Sequence, residues 1–267
     1  MLGAIIGDLA GSIYEYSQFK KTSLINVDQT IEEDAFFSDD SILTIAIADG
    51  VLSGGAYVQK LKEYATKYAH YVPTSGEYFQ TPFSPSFTKW AQEDLVGHSA
   101  GNGAMMRVSS IGYLFDCEED VIKNARLATI TSHDCVEAVD CATKVALAIF
   151  YARQGLSKER IIKKLGINIE KPNISKFNNT CSETIGPCFY ALMQGNSFEE
   201  CVRLAVSLGG DTDTNACIVG SMAEAIYGID KHLVDKAVSK LPQEFIEVLH
   251  VAYAKINNLR DERMHIL

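Results

Sequence analysis

Apolar residues recur at helical spacing along most of this 267-residue chain, and this pattern limits the possible folds more than any other feature. Runs in which apolar and polar residues alternate are scarce, and strand candidates such as Ser109 to Phe115 are short. The helical pattern is found in the segments Ile42 to Leu52, Val58 to Tyr71, Val121 to Ala128, Val136 to Tyr151, Lys158 to Leu165, Ser182 to Met193, Phe198 to Val206, Thr214 to Ile226 and Gln243 to Asn257. We therefore expect an all-α fold with at least nine helices.

No composition shift, repeat or low-complexity tract divides the chain, so we expect residues 1–267 to form a single domain. Hydrophobic residues make up 47% of the sequence, enough for one core. Prolines and glycine between Tyr71 and Val96 rule out a continuous helix and indicate a loop over a pocket. The stretch from Gly166 to Thr180 is typical of a surface connection between helices.

Charge and cysteine content exclude several classes of protein. The net charge of −10 argues against a broad basic surface for nucleic acid or anionic lipid, and it favours a divalent cation. No uncharged apolar run reaches the ~18 residues that cross a bilayer, and residues 1–13 lack the features of a signal peptide. Seven cysteines without a Cys-x-x-Cys pair suggest reduced thiols. We expect a cytoplasmic monomer that does not enter a membrane.

The segment from Gly3 to Glu15 has small residues one helical turn apart, at Gly3, Gly7 and Gly11. This spacing lets a second helix approach closely, and it would place Asp8 and Glu15 on roughly one face. The spacing is not that of a dinucleotide-binding turn. Two interpretations stay open: a close-packed helix with exposed acids, or a carboxylate that projects beside a tightly packed seam.

Two acidic clusters could supply ligands for a metal ion. In Ser38-Asp39-Asp40-Ser41, the serine is a typical N-cap and the acids suit the first turn of a helix, but the same oxygens are hard ligands for Mg²⁺ or Mn²⁺. Gly209-Gly210-Asp211-Thr212-Asp213-Thr214 carries more oxygen-bearing side chains than a cap needs, directly after two glycines. The second cluster therefore favours a metal site over capping.

Two further segments are weaker candidates. The glycine-rich stretch Gly101-Asn102-Gly103-Ala104 could cradle phosphate oxygens with backbone N–H groups, or it could be a plain turn before a helix. His133 precedes the helix that starts near Val136, where a structural, hydrogen-bonded histidine is the more common case.

Taken together and in this order, the motifs resemble those of the ADP-ribosylglycohydrolase family. The resemblance runs from about residue 3 to about residue 228, and Gly-Gly-Asp-Thr-Asp-Thr is its sharpest element. It implies a compact, orthogonally packed all-α domain with two Mg²⁺ ions, or Mn²⁺, in a cleft. The metal ligands that it implies are Ser38, Asp39, Asp40, Asp211, Asp213 and Thr214.

The resemblance also assigns roles in catalysis and binding. Glu15, Asp40 and Asp211 would be catalytic, and Asp8 would be structural. The residues implied to bind substrate are Gly101, Asn102, Gly103, Ala104 and His133. The expected activity is hydrolysis of the bond between ADP-ribose and a target, either a modified protein side chain or a small conjugate, with a nucleobase-linked substrate not excluded.

This sequence departs from the family pattern at two points. Ser38 stands where many relatives have Thr, which keeps the hydroxyl but loses a methyl group that restricts its rotamer. The residues after His133 lack a proline that often precedes the Glu137-Ala138 pair. Two other functions stay open: a module that binds ADP-ribose without turnover, and a metal-dependent nucleotide phosphoesterase.

Overall fold

The computed structural model describes residues 1–15, 26–73, 81–93, 96–169, 171–172 and 177–264, with side chains up to residue 257. These residues form fourteen helices and no β-strand, which confirms the all-α prediction. The helices are α1 (Leu2–Gly11), α2 (Asp39–Leu52), α3 (Tyr57–Lys67), α4 (Pro85–Gln92), α5 (Gly103–Met106), α6 (Ser109–Leu114), α7 (Glu118–Ile130), α8 (Val136–Arg153), α9 (Lys158–Leu165), α10 (Cys181–Gln194), α11 (Phe198–Leu208), α12 (Thr212–Tyr227), α13 (Lys231–Val238) and α14 (Gln243–Met264).

Helix boundaries follow from capping side chains rather than from the first apolar residue. The Ser38 hydroxyl accepts a hydrogen bond of 3.2 Å from the Asp40 amide, so α2 begins at Asp39, before the predicted Ile42. For the same reason α7 begins with an acidic turn at Glu118. The sequence periodicity locates the buried part of each helix, and the cap adds the polar turn in front of it.

Two short helices lie where the sequence indicated other structure. Ser109 to Phe115, a strand candidate, is wrong as a strand: its residues form α6, and all six helical residues are buried. A short apolar run cannot distinguish a strand from a helix that is buried on all sides. Within the irregular stretch after Tyr71, Ser84 caps α4 and Pro85 occupies its first turn, a position that proline tolerates.

Helices α1 and α12 pack backbone against backbone along the small-residue stripe of α1. A Cβ atom added at Gly7 would lie 2.0 Å from the carbonyl oxygen of Ala216, and one at Gly11 would lie 2.3 Å from the Asp213 amide. The predicted close-packed seam is therefore present. Helix α1 ends at Gly11, so Glu15 lies beyond it, and the expectation that Asp8 and Glu15 share one helix face is wrong.

The core surrounds this helix pair. Helix α12 contacts α8, α10 and α11, and α2 packs against α3, α6 and α14. Because α12 and α2 both begin near the C-terminal end of α1, the fold brings the two acidic clusters to one place. No helix in the described ranges is long and apolar enough to span a membrane.

Candidate active site

A cavity of about 600 Å³ lies where α2 and α12 begin, and this size is in the range that holds a small-molecule ligand. Its acidic floor contains Glu15, Asp39, Asp40, Asp211 and Asp213. One wall is formed by residues 81–87, the described part of the loop predicted to cover a pocket. Other lining residues are Gly101, Asn102, Gly103, Arg107 and His133.

The start of α12 depends on its two preceding glycines. Gly209 and Gly210 have φ angles of +77° and +76°, a left-handed region that favours glycine. A Cβ atom at Gly210 would also lie 1.9 Å from Oδ1 of Asn178. The glycine pair thus turns the chain so that Asp211 and Asp213 both point to the cavity, as the sequence suggested for a site behind a double glycine.

The two acidic clusters meet through Asp40 and Thr214. The Thr214 hydroxyl donates to Oδ2 of Asp40 at 3.0 Å, across the junction of α2 and α12. Asp40 is 1% exposed, and its Oδ1 has no hydrogen-bond partner in the described part of the chain. A buried carboxylate oxygen without a partner is costly, and a bound cation would satisfy it.

Carboxylate oxygens form two groups whose members lie within 4.8 Å of one another. One group is Asp8, Asp40 and Asp213, and the other is Glu15, Asp211 and Asp213. Because Asp213 belongs to both, the two groups are adjacent.

Asp8 fixes the start of α2. One of its oxygens accepts hydrogen bonds from the Ser38 amide at 2.9 Å and the Ser41 amide at 3.0 Å, and also from the Ser41 hydroxyl. The other accepts from the Ser38 hydroxyl at 2.8 Å. Asp8 is fully buried, so the alternative of a helix with exposed acids is wrong for this residue. Its hydrogen bonds indicate a structural role, as expected.

Burial and mutual repulsion disfavour the charged form of these acids. Desolvation, followed by the charge of Asp211, raises the pKa of Glu15 to about 8. Desolvation and the charge of Asp8 likewise raise the pKa of Asp39 to about 8. Burial raises the pKa of Asp40 and Asp213 well above the usual range. The cluster is therefore stable only with bound protons or with a compensating cation.

These shifts predict that metal-free protein loses stability as the pH rises. Glu15 and Asp39 titrate near pH 8 when folded but near about pH 4 when unfolded, so the folded state holds extra protons between these values. The free energy of unfolding should then fall from about pH 6.5 to about pH 8, a window above the titration of unfolded histidine. Thermal unfolding in EDTA measures this, and Glu15→Gln should flatten the slope. A melting temperature that rises through this window would contradict the assignment.

Asn102 connects the glycine-rich turn to the acidic floor. Its side-chain amide donates to Oδ2 of Asp211 at 2.7 Å, and its backbone amide donates to the carbonyl of Asn179 at 3.0 Å. Gly101 and Gly103 line the cavity, whereas Ala104 is fully buried in α5 and is not among the lining residues. The expected binding turn is therefore open to the cavity at residues 101–103.

Replacing Asn102 by Ala tests this connection. We expect the variant to remain folded and to lose about tenfold in activity or metal affinity, because a charge-assisted hydrogen bond that orients Asp211 is removed. Steady-state rates at several metal concentrations measure both effects. Asn124→Ala in α7 is the matched control, because it removes a half-buried asparagine whose side-chain hydrogen bonds to Tyr57 and Asp120 lie outside the cavity. Equal behaviour of the two variants would show that Asp211 does not need this partner.

Asn178, which orients the second acidic cluster, was not among the residues predicted from the sequence. Asn178 is 8% exposed, and its amide group exchanges hydrogen bonds with the side chain of Asn215 at 2.7 and 3.2 Å. Its Oδ1 also accepts from the Asp211 amide at 3.4 Å. Gly166 to Thr180 connects α9 to α10, as expected, but Asn178 at its end is buried rather than on the surface. Residues 170 and 173–176 lie outside the described part. A run of asparagines before a helix start was the available signal.

Comparisons with known proteins show the family of this chain. The sequence profile described as ADP-ribosylglycohydrolase matches residues 1–266. The chain belongs to the ADP-ribosylglycohydrolase family. Human ADP-ribosylhydrolase ARH3 is 25% identical over 308 aligned positions, which cover 86% of this chain and 85% of the human protein.

Two other matches to this ADP-ribosylglycohydrolase family member have somewhat lower sequence identity. The ADP-ribosylarginine hydrolase Tri1 of Pseudomonas putida is 22% identical, with 92% of this chain and 72% of that protein covered. A solved structure described as an ADP-ribosylglycohydrolase-related protein complex is similar with a TM-score of 0.69 and 21% identity, over 96% of this chain and 92% of that one. At this identity the structural likeness shows the fold.

In this family member, the residues named from the sequence occupy one region. Glu15, Asp39, Asp40, Asp211, Asp213 and Thr214 line the cavity together with Gly101, Asn102, Gly103 and His133. Ser38 lies beneath the floor and is fully buried, with its hydroxyl between Asp8 and the Asp40 amide. Asp39 stands outside both close carboxylate groups, and Asp8 is the unexpected member of one.

Proposed function

We propose that this chain is a metal-dependent hydrolase that cleaves the glycosidic bond between ADP-ribose and a modified target. The target would be a protein side chain such as arginine or serine, or a small ADP-ribosyl conjugate. One observation carries the proposal: two adjacent carboxylate groups that share Asp213 form the floor of a ligand-sized cavity. Membership of the ADP-ribosylglycohydrolase family supports it.

The residues present fit two Mg²⁺ ions, with Mn²⁺ as an alternative. Hard cations prefer carboxylate and hydroxyl oxygens, and the floor offers these donors. The partnerless Oδ1 of Asp40 and the raised pKa values of the buried acids both favour a cation there. We propose as ligands Ser38, Asp39, Asp40, Asp211, Asp213 and Thr214.

Ser38 can serve as a ligand without losing its structural bonds. Its hydroxyl hydrogen is donated to Asp8, and one lone pair accepts from the Asp40 amide. A second lone pair remains for a cation. Asp8 is less suited as a ligand, because one of its oxygens already accepts three hydrogen bonds and the other accepts from the Ser38 hydroxyl.

The proposed chemistry divides among three carboxyl groups. Bound divalent ions would supply Lewis acidity to hydroxyl oxygens and water at the floor. Glu15, on the cavity side of the cluster, would move the proton that substitution at the anomeric carbon requires. Asp40 and Asp211 are held by Thr214 and Asn102, so both keep a fixed direction. Departure of the target would pass through an oxocarbenium-like ribose.

The glycine-rich turn is proposed to hold the pyrophosphate of ADP-ribose. Gly101 and Gly103 leave the backbone open to the cavity, and short hydrogen bonds from the Asn102 and Cys181 amides to residues 179 and 100 fix the turn. A preformed turn of this kind can present N–H groups to phosphate oxygens with little ordering cost. His133 lies on the same side of the cavity.

The test is release of ADP-ribose from arginine-, serine- and nucleobase-linked substrates and from the acetyl ester, with Mg²⁺ or Mn²⁺ and with EDTA. We expect metal-dependent release from at least one substrate. Tight ADP-ribose binding without release from any of them would favour the module that binds without turnover. Release of AMP or inorganic phosphate instead would favour the phosphoesterase.

A further inference from the structure

Arg107 is a buried cation beside the cavity. The residue is fully buried, and in the described part of the chain its guanidinium makes no salt bridge. Burial lowers its pKa only to about 10, so the group stays charged at neutral pH. Its Nη2 donates to the Ser132 hydroxyl at 2.8 Å and to the carbonyl of Ala128 at 3.4 Å. A cation in this position needs a function, because its desolvation is costly.

The hydrogen bonds of Arg107 limit which atoms of Ser132 and His133 can donate a hydrogen and which can accept one. A guanidinium only donates, so the Ser132 hydroxyl accepts from Nη2. The Ser132 oxygen also lies 2.8 Å from Nδ1 of His133, and its own hydrogen is free to point there. Nη2 lies 3.5 Å from the same nitrogen. A hydrogen on Nδ1 would therefore face another N–H group.

We propose that Arg107 and Ser132 are positioning residues that hold His133 as a neutral imidazole with its hydrogen on Nε2. The ring then has Nδ1 as an acceptor toward the protein interior and Nε2–H as a donor on the cavity side. Burial and then the nearby charge of Arg107 also oppose a second proton, since both lower the pKa of His133, to about 3.

The donor faces the turn that is proposed to bind the pyrophosphate. Ideal Cβ positions at Gly101 and Gly103 lie 3.8 and 3.6 Å from Nε2 of His133. In the described ranges the ring hydrogen bonds of His133 all involve Nδ1, and His133 lines the cavity. A fixed N–H donor at this place suits an anionic or hydroxyl oxygen of the ligand, whereas the other tautomer would present a lone pair to that oxygen. The assignment of this ligand rests on the proposed function, whereas the proposed tautomer of His133 does not depend on that function.

Nitrogen NMR of the imidazole rings tests the tautomer without any substrate. Long-range ¹H–¹⁵N correlation of the labelled full chain distinguishes Nε2–H, Nδ1–H and doubly protonated rings, and His133→Gln assigns the signals of His133. We expect a single Nε2–H tautomer that does not titrate between about pH 5 and about pH 8. A Nδ1–H ring, or an ordinary titration in this range, would overturn the proposal even if the enzyme activity were as proposed.

A matched pair of substitutions tests the role of Arg107. Arg107→Met removes the donor at similar length. Arg153→Met makes the same change at another arginine, whose side chain is 4% exposed and whose partners include Gly112, Phe115 and Asp116. Arg107→Met should give a mixture of tautomers and bind ADP-ribose about tenfold more weakly. Arg153→Met should leave the His133 tautomer and the affinity for ADP-ribose unchanged. If folded Arg107→Met keeps a single Nε2–H tautomer, the proposed role of Arg107 is overturned. If that variant does not fold, the wild-type spectrum decides whether His133 has the proposed tautomer.

Discussion

Asp213→Asn should abolish turnover while leaving the helical fold intact. Asp213 belongs to both carboxylate groups, so the substitution weakens both proposed ion positions, and we expect a loss of at least about a thousandfold in rate. Without metal the variant should melt no lower than the wild type, because one buried acid is removed from a repulsive cluster. Rates with Mg²⁺ and thermal unfolding with Mg²⁺ or EDTA measure both effects.

The control for this variant is Asp120→Asn, which removes an exposed acid from the first turn of another helix, α7. It should keep wild-type activity and should still be stabilised by Mg²⁺. Asp211→Asn should behave like Asp213→Asn, since Asp211 belongs to the second carboxylate group. Wild-type activity in purified Asp213→Asn would refute the proposed metal site.

Gly7→Ala should destabilise the protein by about 3 kcal/mol or more, which for this chain length lowers the melting temperature by about 6 to 12 °C. The new methyl group would lie 2.0 Å from the carbonyl oxygen of Ala216, and 2.5 Å from the amide nitrogen of Cys217. Backbone atoms cannot move aside like a flexible side chain, so the two helices must separate. Separation would also shift Asp8 and the start of α2, and activity should fall with stability.

Gly186→Ala is the matched control, because it makes the same change inside a helix with no atom within 4 Å of the new methyl group. It should change the free energy of unfolding by no more than about 1 kcal/mol in either direction, since the higher helix propensity of alanine is offset by crowding of its Cβ atom against the ring of Pro187. Chemical denaturation of both variants measures the difference. Equal stability of the two would show that α1 and α12 are not held at backbone contact.

The helical class could be predicted because burial in this chain follows helical periodicity over long segments. Helices α8 and α12 were found from apolar spacing, whereas α6 was missed as a helix because six consecutive buried residues have no polar face to reveal their period. The short α5 was not predicted. Its four residues depend on contacts with α8 and α12 rather than on local sequence.

Only part of the candidate site could be predicted from the sequence. Asp40 and Asp213 stand in dense acidic motifs, so their type and spacing indicated ligands directly. That they meet depends on the close approach of α1 and α12, which a single sequence cannot show. Asn178 and Arg107 act through partners that are 33 and 25 residues away, so the sequence around each of them did not reveal these contacts.

Anomalous diffraction from crystals grown with Mn²⁺ would test the central claim most directly, because it locates bound ions independently of any substrate. We predict two anomalous peaks at the cavity floor, with Asp213 beside both, and their loss in Asp213→Asn. A surface group of Glu199, Asp230 and His232 offers a competing location. Peaks at that group, with none among the buried acids, would contradict the proposed metal centre.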